Sequence, residues 1–266
     1  MALFNCSFQT GDTLDIFWQT LYLLMIGAGV GGRIKKSDVD KLPQFRTDFE
    51  VIHKPYEFKP KKKQDQTHYS ISNNKITITV GDDKMGWARS LKTFMEILTK
   101  PEYNSITSIE LIYDWIRPLG SKLNTFGGTA SGHSSLEDMF KKIEVYIKQS
   151  GGKLKPIHVL DIMNLIGVNV IAGGTRRSAE ILMFDWNDEE VLKAKSNLYT
   201  ENNGVWSLNK EIEHRQMSNN SIVYSEKPSR EQWSKHMMSM RFSGEPGFVN
   251  LEAIQKRRPN GQGVNP

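Results

Sequence analysis

Apolar residues recur at three- and four-residue spacings through positions 12–26 (DTLDIFWQTLYLLMI). Leu14, Phe17, Trp18, Leu21 and Met25 share one face, which predicts a helix that Asp12 or Thr13 can cap. Residues 27–32 (GAGVGG) then read as a Gly-rich turn, and residues 34–67 are basic, interrupted by Pro and weakly periodic, so mostly loop. Residues 68–80 (HYSISNNKITITV) alternate with period two around Asn73 and Asn74, which predicts a hairpin. Residues 87–100 read as an amphipathic helix and 105–116 as strand-rich. Two helical stretches follow, LEDMFKKIEVYIKQ and HVLDIMNLIGVNVIAG. Strands are predicted at 178–186 and 221–226, and a helix at 229–242 with Ser229 as its cap and Glu231 close behind. Strands alternating with helices predict an α/β architecture with a largely parallel sheet. There is no internal repeat and no low-complexity tract.

At 266 residues the chain can bury a sizeable core, and 38% hydrophobic with 24% charged residues is a globular composition. The longest apolar run, at 21–32, is too short and too Gly-rich to span a bilayer, and no signal-peptide pattern opens the sequence. The net charge of +5 suits phosphate-bearing partners, although the densest basic run (59–66, KPKKKQDQ) reads as a solvated loop. No recognisable nucleic-acid-binding module is present, and the aromatics fall at helix-core spacings rather than among the basic residues. The single cysteine, Cys6, cannot form an internal disulfide, which points to a reducing compartment, the cytoplasm.

GAGVGG matches the dinucleotide fingerprint G-x-G-x-x-G only superficially. That fingerprint needs a strand before it and a helix opening inside it, whereas a helical period precedes these glycines and the polar RIKKSDVDKLP follows. Three other stretches are unusual: TFGGTASG (125–132), AGGTRRSAEI (172–181) with Arg176 and Arg177, and MSNNS (217–221). They are either plain polar turns or strand-end loops lining a pocket for a sugar phosphate.

In order, NCSF, GAGVGGR, IRPLGSKLNTFGGTASG, DIMNLIGVNVIAGGTRRSAEI, MSNNS, SGEPGFVNLE and GVNP resemble ribonucleotide reductase, in particular its class II, adenosylcobalamin-dependent, triphosphate-reducing branch. The resemblance runs from Asn5 to Pro266 and implies part of a ten-stranded α/β barrel, with an insertion at about 45–116 that holds the effector site and stands in for a dimer partner. In that family the final GVNP continues as N-P-C-x-E on a finger loop, whose cysteine becomes the thiyl radical and whose glutamate is the general base. This sequence stops one residue earlier, so the expectation is a section of an enzyme, inactive alone, joined to its remainder by splicing or as a split gene.

The resemblance also implies residue roles. Cys6 is the redox cysteine that pairs with a second one beyond Pro266, and Asn265 contacts the substrate ribose. Asn5, Gly27, Gly29, Gly31, Gly127, Gly128, Thr129, Ala130, Ser131, Asn219 and Asn220 are expected to line the substrate site. Ile34, Lys35, Lys36, Ser37 and Lys41 are expected at the deoxynucleotide effector. The implied partners are a ribonucleoside triphosphate, a deoxynucleotide effector, the C-terminal part of the reductase and a thioredoxin-like reductant, with neither membrane nor specific nucleic acid. Adenosylcobalamin is implied as cofactor, its contacts lying mostly outside these residues; no metal-ligand set is read. The competing reading is a non-catalytic nucleotide-binding subunit or remnant of a split reductase.

Overall fold

The computed structural model describes residues 5–59, 66–123, 129–171, 179–257 and 261–264. In chain order the elements are β1 (Cys6–Thr10), α1 (Asp15–Ile26), β2 (Gly29–Arg33), α2 (Lys36–Val39), β3 (Glu50–His53), β4 (His68–Ser72), β5 (Lys75–Thr79), α3 (Lys84–Ile97), β6 (Ser108–Ile112), α4 (Ser134–Gln149), α5 (Pro156–Ile171), β7 (Glu180–Asp185), α6 (Glu189–Leu192), β8 (Tyr199–Asn202), β9 (Val205–Leu208), β10 (Ser218–Tyr224), α7 (Arg230–Ser243), β11 (Gly247–Asn250) and α8 (Leu251–Arg257).

Five strands form an all-parallel sheet in the order β1-β2-β7-β10-β11. A second sheet, β3-β6-β5-β4, is parallel except for the antiparallel edge strand β4. The alternation expected at 68–80 is the β4–β5 hairpin, with Asn73 in the left-handed region at its turn (φ 54). A third pair, β8–β9, turns at Asn203 (φ 50) and Gly204 (φ 80), the backbone a two-residue hairpin requires.

The glycines at 29–32 are not a turn: they form β2, hydrogen-bonded on one side to β1 and on the other to β7. Each glycine gives up about 0.5–1 kcal/mol of strand stability. Crowding explains one of them, because a Cβ on Gly32 would sit 2.9 Å from Leu182 Cδ2. Only Gly27 serves a turn, closing α1 in the left-handed region (φ 98) with its N–H reaching the carbonyls of Leu23 and Leu24.

The helix expected at 12–26 starts at Asp15, and neither Asp12 nor Thr13 caps it. Asp12 instead accepts a hydrogen bond from Thr10 Oγ1 (2.7 Å). Ser229 does cap α7, in a capping box completed by Gln232 rather than by Glu231.

Strand alternation sorts the five-stranded sheet into two faces. Val30, Ile34, Leu182, Phe184 and Ile222 point into the main core, where α1 and α5 pack, with α3 against α1 and α4 against α5. Phe17, Leu21, Phe94, Phe140, Ile162 and Ile166 are fully buried there, each such side chain worth about 1.5–3 kcal/mol. The opposite face carries a small cluster of Met183, Val223, Val249 and Leu251, with Phe8, Ile254 and Val264 packed on it. Among the described residues no helix is long and apolar enough to cross a membrane.

Candidate functional site

Cys6 opens β1 beside Gly29, half-buried, and shares its strand parity with Phe8. It therefore belongs to the face with the small cluster. Gly29 and Gly31, the neighbours of Cys6 and Phe8 on β2, add no side chain to that face. Asn5 is exposed just before the strand, its carbonyl accepting from the Gly29 N–H (2.7 Å). Phe8, Gly31, Ile181 and Asn219 form one row across four strands, which puts exposed Asn219 on the face of Cys6. Three strand spacings separate their strands, about 14 Å. Asn220 has the opposite parity and is buried, its Oδ1 accepting from Ser218 Oγ at 2.9 Å.

Residues 261–264 lie across the same face. Gly263 rests on Phe8 so closely that a Cβ would meet its ring at 2.4 Å and Met183 Cε at 3.0 Å, and Val264 packs into the small cluster. Arg33, at the end of β2, donates from one terminal nitrogen to the backbone oxygen (3.0 Å) and Oε1 (2.6 Å) of Gln262. Its Nε and other terminal nitrogen grip buried Asp38 at 2.7 and 2.8 Å. That pairing holds the guanidinium in its charged form more firmly than usual.

The start of β10 is fixed by a polar network that the sequence reading missed. Lys195 donates to the Ser218 carbonyl and to Glu245 Oε1 (2.9 Å), and Glu245 Oε2 accepts from the Asn220 N–H (3.0 Å). Asn164, inside α5, accepts from the Ser218 N–H (2.9 Å) and donates to Leu160 (2.7 Å). Behind it, buried Asp161 binds Arg215 and His214, and Tyr146 contacts the same His214 ring nitrogen. Burial pushes the Tyr146 phenol up to about 12. Glu245 lies in the GEPG motif and Asp161 opens the DIMNLIG stretch, whereas Lys195 carries no local signal.

The residues expected at the effector separate. Ile34 is fully buried in the core. Lys35 pairs with Asp185 (3.4 Å), Lys36 with Asp40, and Ser37 is exposed. Lys41 lies 3.8 Å from Asp12 and lines a cavity of about 360 Å³ with Trp18, Lys92 and Lys100, at the far end of β1 from Cys6. Thr129 bridges to Lys122, and Ala130 exchanges backbone hydrogen bonds with Gly120 and Ser121 (2.9 and 2.7 Å). Half-buried Ser131 donates weakly to Gly132 (3.4 Å). Gly127, Gly128, Arg176, Arg177 and Asn265 lie outside the described residues.

The described residues do not offer a corrin site. The cavity beside α1 and α3 is half-lined by charged side chains, and no three His, Cys, Asp or Glu among the described residues converge on a metal.

Residues 58–147 match the family described as the insertion domain of B12-dependent ribonucleotide reductase. The adenosylcobalamin-dependent ribonucleoside-triphosphate reductase of Lactobacillus helveticus is 31% identical over 244 residues, 86% of this chain and 31% of the relative. That of Euglena gracilis is 36% identical over 191 residues, 69% of this chain and 23% of the relative. A putative enzyme of the same name from Mycobacterium phage D29 is 29% identical over 79% of the chain. The chain thus spans about a third of the length of the curated relatives it matches. In fold, it superposes on the crystal structure of a B-12 dependent (class II) ribonucleotide reductase with a TM-score of 0.73 at 24% identity, covering 94% of this chain and 36% of that one. Motif order, sequence identity and fold agree that this chain is similar, over most of its length, to the adenosylcobalamin-dependent ribonucleotide reductases.

Proposed function

We propose that this chain is the section of a ribonucleoside-triphosphate reductase that carries one half of the reducing dithiol and the approach to the radical loop. The observation that supports it most is the shared face: Cys6 and the segment 261–264 lie on one side of the parallel sheet. A loop that continues from Val264 starts above the strand that bears the only cysteine.

The chemistry asks for such an arrangement. Replacing the 2′-hydroxyl of a ribose by hydrogen releases water and consumes two electrons and two protons. A pair of thiols closing to a disulfide supplies both. Cys6 is one thiol; the other, with the radical-bearing cysteine and general base of the family's loop, belongs to the rest of the polypeptide. Adenosylcobalamin, named in the relatives, is held there too. Gly29 and Gly31 put no side chain on the face of Cys6, so a ligand that reaches this face can approach the backbone closely. Asn219 reaches that face from three strands away and is a candidate ribose or phosphate contact.

In this reading the five-stranded sheet is half of a barrel whose other half lies beyond residue 266, and the β3–β6 region is the effector insertion. The effector segment is best supported at Lys41, which lines the cavity between α1 and α3; weaker deoxynucleoside-triphosphate binding in Lys41→Ala is the expected outcome.

The test is turnover by the full polypeptide bearing this segment, supplied with adenosylcobalamin, a ribonucleoside triphosphate and a dithiol. Deoxynucleotide formation that Cys6→Ser abolishes supports the proposal. Nucleotide binding with no deoxynucleotide under any effector supports a non-catalytic binding subunit instead.

A further inference from the structure

Residues 261–264 are held to the sheet mainly by shape. Gly261 abuts α8, Gly263 abuts Phe8, and Val264 adds one side chain to a small cluster. Shape of this kind permits sliding along the strand direction, because it offers no directional contact. Among the described residues, the hydrogen bonds that reach this segment come from Arg33 alone, and both go to Gln262. Arg33 is itself directional: buried Asp38 holds the other edge of its guanidinium in a two-point grip. Asp38 in turn sits on α2, whose first N–H is anchored to Asp185 at the end of β7 (2.8 Å).

We propose that Arg33 is a positioning residue: it fixes the register of segment 261–264 on the sheet and thereby the distance of Val264 from Cys6. The proposal deepens the reductase reading, since it matters to catalysis only if the chain that continues from Val264 works beside Cys6. Its geometry is independent of that reading. Arg33 is two strand positions beyond Gly31, so its backbone stays in β2 while its head group reaches over to the tail. A planar donor with two used edges resists rotation in a way that a lysine does not.

Cross-linking in this chain provides the test, because Cys6 is its only cysteine. With Val264→Cys introduced and diamide as oxidant, the rate of Cys6–residue 264 disulfide formation reports how often the two positions meet within disulfide reach. Arg33→Met is expected to lower that rate about tenfold, the effect of losing a charge-assisted hydrogen bond. Gln262→Glu is expected to raise it when Arg33 is present and to have no effect beside Arg33→Met. This second variant lies on the exposed tail and cannot unfold the sheet. Arg46→Ala, which removes an arginine bonded to the Tyr103 and Ile106 carbonyls in the connection between α3 and β6, is expected to leave the rate unchanged. An unchanged rate in Arg33→Met, an effect of Gln262→Glu that persists without Arg33, or no cross-link in any background overturns the proposal. In the full polypeptide, Arg33→Met is expected to lower kcat at least tenfold with KM for the nucleotide unchanged. An active wild type whose kcat ignores Arg33→Met also overturns it. A wild type with no reductase activity, by contrast, defeats the reductase reading and leaves the cross-linking result standing.

Discussion

Arg215 holds Asp161 by two hydrogen bonds, 2.6 and 2.9 Å long, and His214 adds a third at 2.9 Å, all at a carboxylate that is 1% exposed. This cluster fixes α5 to the segment that leads into β10, and so to Ser218 and Asn219. Removing one partner of a buried pair strands the other's charge, at about 3–5 kcal/mol. Asp161→Ala is therefore expected to lower unfolding free energy by that order in a denaturant titration. A loss under about 1 kcal/mol sinks this account of the cluster.

Burial by itself raises the Asp161 carboxyl, but hydrogen bonds from His214 and Arg215, with their charges, outweigh it and hold it below the ordinary carboxylate range. A depressed folded-state value means stability that is present above about pH 3.9, the unfolded value, and lost as pH falls through the folded one. His53, His133, His158 and His236 are also lowered, each chiefly by burial. The unfolded chain takes up their protons first, so stability is expected to fall as pH drops below about 6.5, and to fall again below about 4. Thermal melts from pH 8 to 3.5 check both steps. A melting temperature flat between pH 7.5 and 5 contradicts the histidine assignment.

Asn219 and Asn220 are neighbours on opposite faces of β10, the first exposed and the second buried. Asn220→Ala leaves the Ser218 hydroxyl without its buried acceptor and is expected to cost about 1–3 kcal/mol. Asn219→Ala, at an exposed position, is expected to stay within about 0.5 kcal/mol of wild type while weakening ribonucleotide binding by the full polypeptide. Equal destabilisation by the two changes rules out this division of labour.

Gly152 takes φ +80 between α4 and α5, and a Cβ there would lie 2.0 Å from the Phe45 carbonyl oxygen. Gly151 also has positive φ (+61) but faces open space. Gly151→Ala is expected to cost about 1 kcal/mol of backbone strain, and Gly152→Ala at least twice that because the chain after α2 has to move. Denaturant titration of both variants checks the difference, and equal costs contradict it.

Much of the architecture was legible because it obeys simple periods. The amphipathic stretches became α1, α3, α4 and α5, and the alternation at 68–80 became a hairpin. β2 was not legible: a strand built of Gly, Val, Gly, Gly and Arg has almost no side chains to show a period, and it is held by its neighbours' backbones. Nor was β3, a parallel strand of four residues within a basic loop. The β8–β9 turn carries an Asn-Gly signal, but its strands are four residues each and largely exposed, so no buried alternation flanks it. Motif order pointed to Cys6, Asn219 and Asn220 alike, but faces depend on register, so only the folded sheet separates Asn219 from Asn220. Arg33 stays obscure in sequence because its partners lie 5 and 229 residues away.

The most direct measurement is a disulfide map of the full polypeptide bearing this segment, after a single turnover with a ribonucleoside triphosphate and adenosylcobalamin in the absence of external reductant. The account predicts one deoxynucleotide per enzyme and a new disulfide between Cys6 and a cysteine beyond residue 266. Deoxynucleotide formation with Cys6 still a free thiol contradicts it.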